Sequence, residues 1–235
     1  MASFGGYPQN VTYQTVNVSA GGGSENLLIN PRGKINQANE SGGVLAAGAY
    51  FCDGWKAGAA GAEVYVDADG FRLISGSIVQ LVPNNLGAGR NIRGNMDIVS
   101  GTPTISINGD SDNVTSNAAE YIQFEVSGNN SKFTRLILAE SNSLPIYQQA
   151  SDELTPCLKF LIYDDLSSGF YSSSSPSGGT AFFFYSFDEM VSTPAVSFGA
   201  SSNAYVSHIS QKGVSLSKGG TYCQIREFIM LDARP

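Results

Sequence analysis

From Asn26 onward the chain is a succession of short runs that alternate apolar and polar residues, separated by Gly, Asn, Ser and Pro. A period of two sends successive side chains to opposite faces of a strand, whereas a helix needs apolar residues three or four apart. Pro103-Thr-Ile-Ser-Ile107 alternates cleanly and ends at Asn108-Gly109, a dipeptide that accepts the positive φ of a tight hairpin turn. Glu120-Tyr-Ile-Gln-Phe-Glu-Val126 alternates as well, with Tyr121 and Phe124 on different faces, and Lys132-Phe-Thr-Arg-Leu-Ile-Leu138 follows. Residues 70–82 read as two strands separated near Ser75-Gly76, and the Gly-rich stretches 58–61 and 87–89 read as turns. No amphipathic helix of useful length is present. The pattern predicts an all-β fold, a jelly roll or β-sandwich over residues 26–150.

A smaller C-terminal β unit is expected over residues 151–235. Strands are expected at 158–163, 194–198, 204–209, 213–216 and 222–231, with a Ser/Gly/Pro loop at 167–179. The run Ala181-Phe-Phe-Phe-Tyr-Ser-Phe187 is apolar enough to be a strand buried on both faces. Residues 1–25 stand apart: the alternating stretch from Val11 to Ser19 reads as one strand, followed by the hinge Ala20-Gly-Gly-Gly-Ser24. A lone strand does not stabilise itself. This arm is therefore expected to dock on a partner chain or on a larger particle.

Composition narrows the function. Only 14% of the 235 residues are charged, and 27 are Gly, whereas soluble domains average about 25% charged residues. The 13 Lys and Arg are scattered and the net charge is −7, so neither nucleic-acid phosphates nor an anionic membrane surface finds a basic patch. No apolar run approaches the length that spans a bilayer. The start of the chain lacks the basic and apolar pattern of a secretory signal, so synthesis in the host cytoplasm is expected.

The residues that could carry chemistry are few. Cys52, Cys157 and Cys223 are far apart and read as small buried thiols. His208, the one histidine, sits in an alternating strand with no nucleophile-elbow sequence elsewhere, so it reads as a sheet-face residue. The acidic pairs Asp67 with Asp69, Asp164 with Asp165 and Asp188 with Glu189 could serve glycoside hydrolysis only if two carboxyls met in a cleft. No catalytic residue is assigned, and the chain is expected not to be an enzyme. Asp110, Asp112 and Asn113 concentrate oxygen ligands in one turn and form a weak calcium candidate, although Asp and Asn favour turns in any case. No other cofactor is expected. The Asn-x-Ser/Thr triplets at Asn10, Asn17, Asn39, Asn113 and Asn129 are read as composition.

Two stretches are more specific. Asn26-Leu-Leu-Ile-Asn30, Ile35-Asn-Gln37 and Tyr50, Asp53 and Trp55 resemble the opening of a phage tail-fibre domain family. Asp152-Glu-Leu-Thr-Pro-Cys-Leu-Lys-Phe160 resembles the segment that closes that domain, and Met190-Val-Ser-Thr-Pro-Ala-Val196, Gly213-Val214 and Leu231-Asp-Ala-Arg234 resemble its terminal β unit. The resemblance implies a jelly roll similar to carbohydrate-binding modules, on a head spike or fibre of a phage or phage-like gene transfer particle. It implies a protein of the virion surface, a homo-oligomer (a trimer favoured), that contacts other virion proteins and binds host surface polysaccharide. Residues 57–150 match the family pattern poorly, so no sugar-binding residue is carried over. Sugars stack their C–H faces on aromatic rings. Among 11 Tyr, 13 Phe and one Trp, the candidate platforms are Trp55, Tyr65, Tyr121, Tyr171 and Tyr205.

Overall fold

A computed structural model describes residues 25–173, 180–200, 202–219 and 222–235, with side chains left out at 166–173, 180, 218, 219 and 222. The expected docking arm, apart from Glu25, lies outside the described residues. The chain is all-β, as its alternation requires, and its described core divides into a large sandwich and a smaller pair of sheets.

The spine of the sandwich is a long hairpin, β3 (Trp55–Asp67) and β4 (Gly70–Pro83). Its two halves have different neighbours. Phe71 to Leu73 of β4 pair with β9 (Ser131–Glu140), whereas Ser77 to Pro83 pair with β8 (Tyr121–Ser127). On the β3 side, β1 (Gly43–Leu45) pairs near Ala62 and β2 (Tyr50–Cys52) pairs near Trp55. One layer is completed by β5 (Asn91–Ser100) and β7 (Asn113–Thr115), the other by β6 (Thr104–Ile107). Where two strands were expected over 70–82 there is therefore one bent strand, and residues 58–61 lie within β3, not in a turn. The reason is local. Gly76 has φ +84°, and a Cβ there would fall 2.4 Å from the Gly61 carbonyl oxygen. Only glycine fits, and the register shifts alongside let the hairpin cross from one layer to the other.

The inner faces of both layers supply the core. Phe71 lies at its centre, with ring centroids 6.1 Å from Phe51, 5.2 Å from Trp55 and 5.8 Å from Phe133. The expected alternation in β8 is seen as strict in–out burial, with Ile122, Phe124 and Val126 inside. Asn108 and Gly109 carry the positive φ values of 53° and 81° that the Asn-Gly turn requires.

A short helix, α1 (Leu154–Leu158), leads into the second unit. One of its sheets holds β10 (Leu161–Ser173), β15 (Tyr222–Asp232) and β12 (Ala195–Phe198). The other holds β11 (Thr180–Ser186), β14 (Gly213–Gly219) and β13 (Tyr205–Ser210). Val214, Leu216, Ile225, Ile229 and Leu231 pack between them. Part of the loop expected at 167–179 is strand, because 170–173 stay paired to β15 after an irregularity at Leu166 and Phe170; residues 174–179 lie outside the described residues. A second correction concerns β11. Ala181 faces the core, but Phe182 and Phe184 are 65% and 64% exposed, so this strand is covered on one face only.

The residues that resemble the tail-fibre opening lock the two units together. The side chain of Asn30 donates to the carbonyls of Ile35 (2.8 Å) and Asp53 (3.0 Å), and its backbone carbonyl accepts the Trp55 indole N–H at 2.9 Å. The Gln80 amide accepts from the Ile29 N–H at 2.8 Å and donates to the Ile29 carbonyl at 3.0 Å, replacing a missing strand partner. The Gln37 side chain donates to both the Asp53 carboxylate (2.5 Å) and the Leu161 carbonyl (2.8 Å). At the other end Arg234 grips Glu40 through bonds of 2.8 and 2.9 Å, pairs with Asp232, and lies 4.0 Å from the Tyr50 ring centre. Tyr50 and Lys56 both donate to the Pro235 carbonyl, at 2.6 and 2.5 Å. Burial pushes the Glu40 and Asp53 carboxyls up against the pull of these partners, and pushes the Tyr50 phenol to about 12.

Candidate functional site

The outer face of the β11–β14–β13 sheet carries the one broad set of exposed rings among the described residues. Register fixes which side chains share it. Phe182, Ser217 and Tyr205 form one cross-strand row, and Phe184, Ser215 and His208 form the next. Directly opposed residues of an antiparallel pair point to the same side. Phe182, Phe184 and Tyr205 are 65%, 64% and 67% exposed, while Ser215 and Ser217 are half-buried on the strand between them. Adjacent strands lie about 4.8 Å apart, so rings on the outer strands flank a serine floor about 10 Å wide.

Several local features hold this arrangement. Gly213 is buried, and a Cβ there would lie 2.6 Å from the Phe184 ring, so the ring rests over bare backbone. An irregularity between Val206 and His208 leaves Ser207 as the extra residue of β13, and its hydroxyl donates to the Ser215 carbonyl at 2.9 Å. From the inner side, the Tyr185 hydroxyl donates to Asp164 at 3.0 Å and ties this sheet to β10. Burial and that carboxylate push the Tyr185 phenol to about 12. Hydrogen bonds that fasten the unit to the sandwich involve Leu161, Tyr163, Arg234 and Pro235, in or beside the other sheet. None of these bonds involves the Phe182, Phe184 or Tyr205 rings.

The remaining aromatic candidates scatter. Trp55 is fully buried, packed against Phe71 and Phe124 and bonded to Asn30, so its ring faces are unavailable to a sugar. Its apolar bulk is needed where the two layers meet. Tyr65 is half-buried on the sandwich surface with Arg72 4.4 Å from its ring centre. Tyr121 is half-buried opposite Pro83 at the start of β8. The Tyr171 side chain lies outside the described residues. Of the four candidates whose side chains are described, Tyr205 joins other exposed rings, and His208 lies beside it on the sheet face. Phe182 and Phe184 escaped the sequence reading because a run apolar at every position gives no sign of which face is left uncovered.

Members of all three acidic pairs are engaged by other side chains, Asp164 by the Tyr185 hydroxyl. Asp67 is bound by Arg72 and Lys132, Asp69 by Arg32 and Lys34, and Glu189 by Lys212. Asp110, Asp112 and Asn113 lie in an exposed turn where Asp110 accepts from the Ser111 N–H and the Ser111 hydroxyl donates to the Asn113 carbonyl. Among the described residues no three His, Cys, Asp or Glu side chains gather as a metal set. The three cysteines are buried and unpaired with one another, as expected.

A cleft of about 630 Å³ opens beside the junction of the units, lined in part by Tyr147, Gln149, Asp152, Glu153 and Lys159. Much of its polar capacity is already used. Tyr147 donates to Glu153, Arg32 donates to Gln149, and Asp152 accepts from the Leu154 and Thr155 N–H groups. The aromatic face, with its exposed rings beside serine hydroxyls, is therefore the candidate site. Comparison of the chain with models of known protein families, with curated proteins and with solved structures gives no match.

Proposed function

We propose that this chain is a host-attachment protein of a phage or phage-like particle that binds cell-surface polysaccharide without cleaving it. The observation that carries the reading is the face of β11, β14 and β13, where exposed rings of Phe182, Phe184 and Tyr205 border the hydroxyls of Ser215 and Ser217. Flat rings take the C–H side of a sugar and hydroxyls exchange hydrogen bonds with its O–H groups. The resemblance of residues 26–56 and 152–160 to tail-fibre domains supports the same reading. Single-site sugar affinity of this kind is weak. Several copies on one particle, or a homotrimer, would multiply it. Residues 1–25 would attach the protein to other virion components.

Binding of the purified chain to capsulated and capsule-free host cells tests the proposal. The unaltered protein should bind capsulated cells only, and a Phe184→Ala/Tyr205→Ala variant should lose at least tenfold in affinity, about 1.4 kcal/mol. Equal binding to both cell types, or none to either, would favour a purely structural spike-base or capsid-decoration protein.

A further inference from the structure

We infer that the β11–β14–β13 face selects an uncharged polysaccharide, a chain of neutral sugars, over acidic polymers; the inference rests on the glycan-binding function proposed above. Two cross-strand rows of the face carry Phe182, Phe184, Ser215, Ser217, Tyr205 and His208, the next row carries Ser186, Gly213 and Ser210, and none of these is Lys, Arg, Asp or Glu. A carboxylate or sulfate polymer is held by cations, above all by the two-pronged hydrogen bonds of Arg. The nearest cation in the β13–β14 turn, Lys212, is paired with Glu189 at 2.9 Å. The net charge of −7 further opposes a polyanion at long range.

Size decides between a glycan and a second copy of the chain. Aromatic side chains bury roughly 150–250 Å² each, so three rings about two-thirds exposed offer roughly 300–500 Å². A stable protein interface buries about 800 Å² on each partner. The face is too small for that, and suits a few sugar residues. Its polar groups point the same way. Ser215 and Ser217 have no side-chain hydrogen bond among the described residues, so their hydroxyls remain for the ligand. Residues two apart along a strand are about 7 Å apart. Phe182 and Phe184 therefore present successive rings to a chain lying along β11, with Tyr205 closing the far side.

Affinity electrophoresis of the full-length protein tests this, in gels containing neutral polymers (glucan, mannan, galactan) or acidic ones (polygalacturonate, alginate). At least one neutral polymer should retard the unaltered chain at least tenfold more than either acidic polymer, with little change as salt is raised. Phe184→Ala and Tyr205→Ala should abolish retardation, and Phe184→Tyr should keep it. Gly213→Ala, which displaces the Phe184 ring without removing it, should weaken it. Circular dichroism checks that each variant is folded. Salt-sensitive retardation by the acidic polymers that depends on Phe184 would overturn the charge selection and leave the glycan-binding function standing. Retardation by no polymer, or retardation indifferent to every variant, would overturn both. A dimer in sedimentation that Phe184→Ala dissolves would make the face a protein interface and also overturn both.

Discussion

The two units are built from the same kind of strand yet treat their aromatic residues in opposite ways. In the sandwich, Phe51, Trp55, Phe71, Phe124 and Phe133 are all buried and most touch one another. In the C-terminal unit the fully buried core is mainly Val214, Leu216, Ile225, Ile229 and Leu231, and Phe182, Phe184 and Tyr205 face outward. The difference follows from what covers each sheet. Two broad layers leave a wide gap that large rings fill, whereas two three-stranded sheets close over aliphatic side chains. Rings in the first unit fill the centre of its core, whereas in the second Phe183, Tyr185, Phe187 and Phe198 pack at the core's edge and Phe182, Phe184 and Tyr205 lie at the surface.

This contrast can be broken by experiment, beginning with the largest effect. Trp55→Ala should cost about 3–5 kcal/mol in denaturant unfolding, because it opens a cavity and removes one of the two N–H groups that bond the Asn30 carbonyl. Phe184→Ala should stay within about 0.5 kcal/mol, as an exposed substitution does. Similar losses for both would show that the outer rings are structural after all. Arg234→Met should be nearly as damaging, about 3–5 kcal/mol, since it leaves Glu40 and Asp232 partly buried without their cation. Calorimetry should then show two transitions in place of one as the units uncouple. A single undisturbed transition would mean the junction does not depend on this cluster.

Smaller effects sharpen the picture. Gly76→Ala forces an L side chain to φ +84° against the Gly61 carbonyl, and should cost about 1–3 kcal/mol in thermal unfolding of the sandwich. Alkaline pH reaches both units and their junction together. Burial raises the phenols of Tyr50, Tyr147 and Tyr185 from 10.0 to about 12. The unfolded chain releases these protons near pH 10 and the folded chain holds them to about 12. Their contribution is complete below pH 10 and is lost as pH rises toward 12. Phenolate absorbance followed beside circular dichroism should show at least three tyrosines ionising late, together with unfolding; all 11 titrating near pH 10 in an intact fold would contradict it.

Much of the fold could be read from particular residues. Ile122, Phe124 and Val126 alternate with polar neighbours, so β8 and its inner face were legible without coordinates. Asn108-Gly109 announced its turn, because few residue pairs tolerate two positive φ values. The glycines at 58–61 and at 76 were misleading. A glycine that ends a strand and one that bends it satisfy the same local preference, and the choice depends on whether another backbone lies within 3 Å. Gln37 and Asp53 were part of a recognisable pattern and Gln80 lay in an expected strand, yet their work is to hydrogen-bond groups distant in sequence. Nothing in their spacing reveals that.

The candidate face was half legible. Tyr205 stood in an alternating strand and was a candidate from the start, as was the sheet-face position of His208. Phe182 and Phe184 were not, because every residue around them is apolar. Alternation, turn chemistry and the scarcity of charge were properties of the sequence itself, since they arise from the geometry of one strand and the solvation of single side chains. Which face of β11 meets a second layer and which meets water was decided only by the tertiary structure. Burial is a relation between segments far apart in the chain, and no local rule contains it.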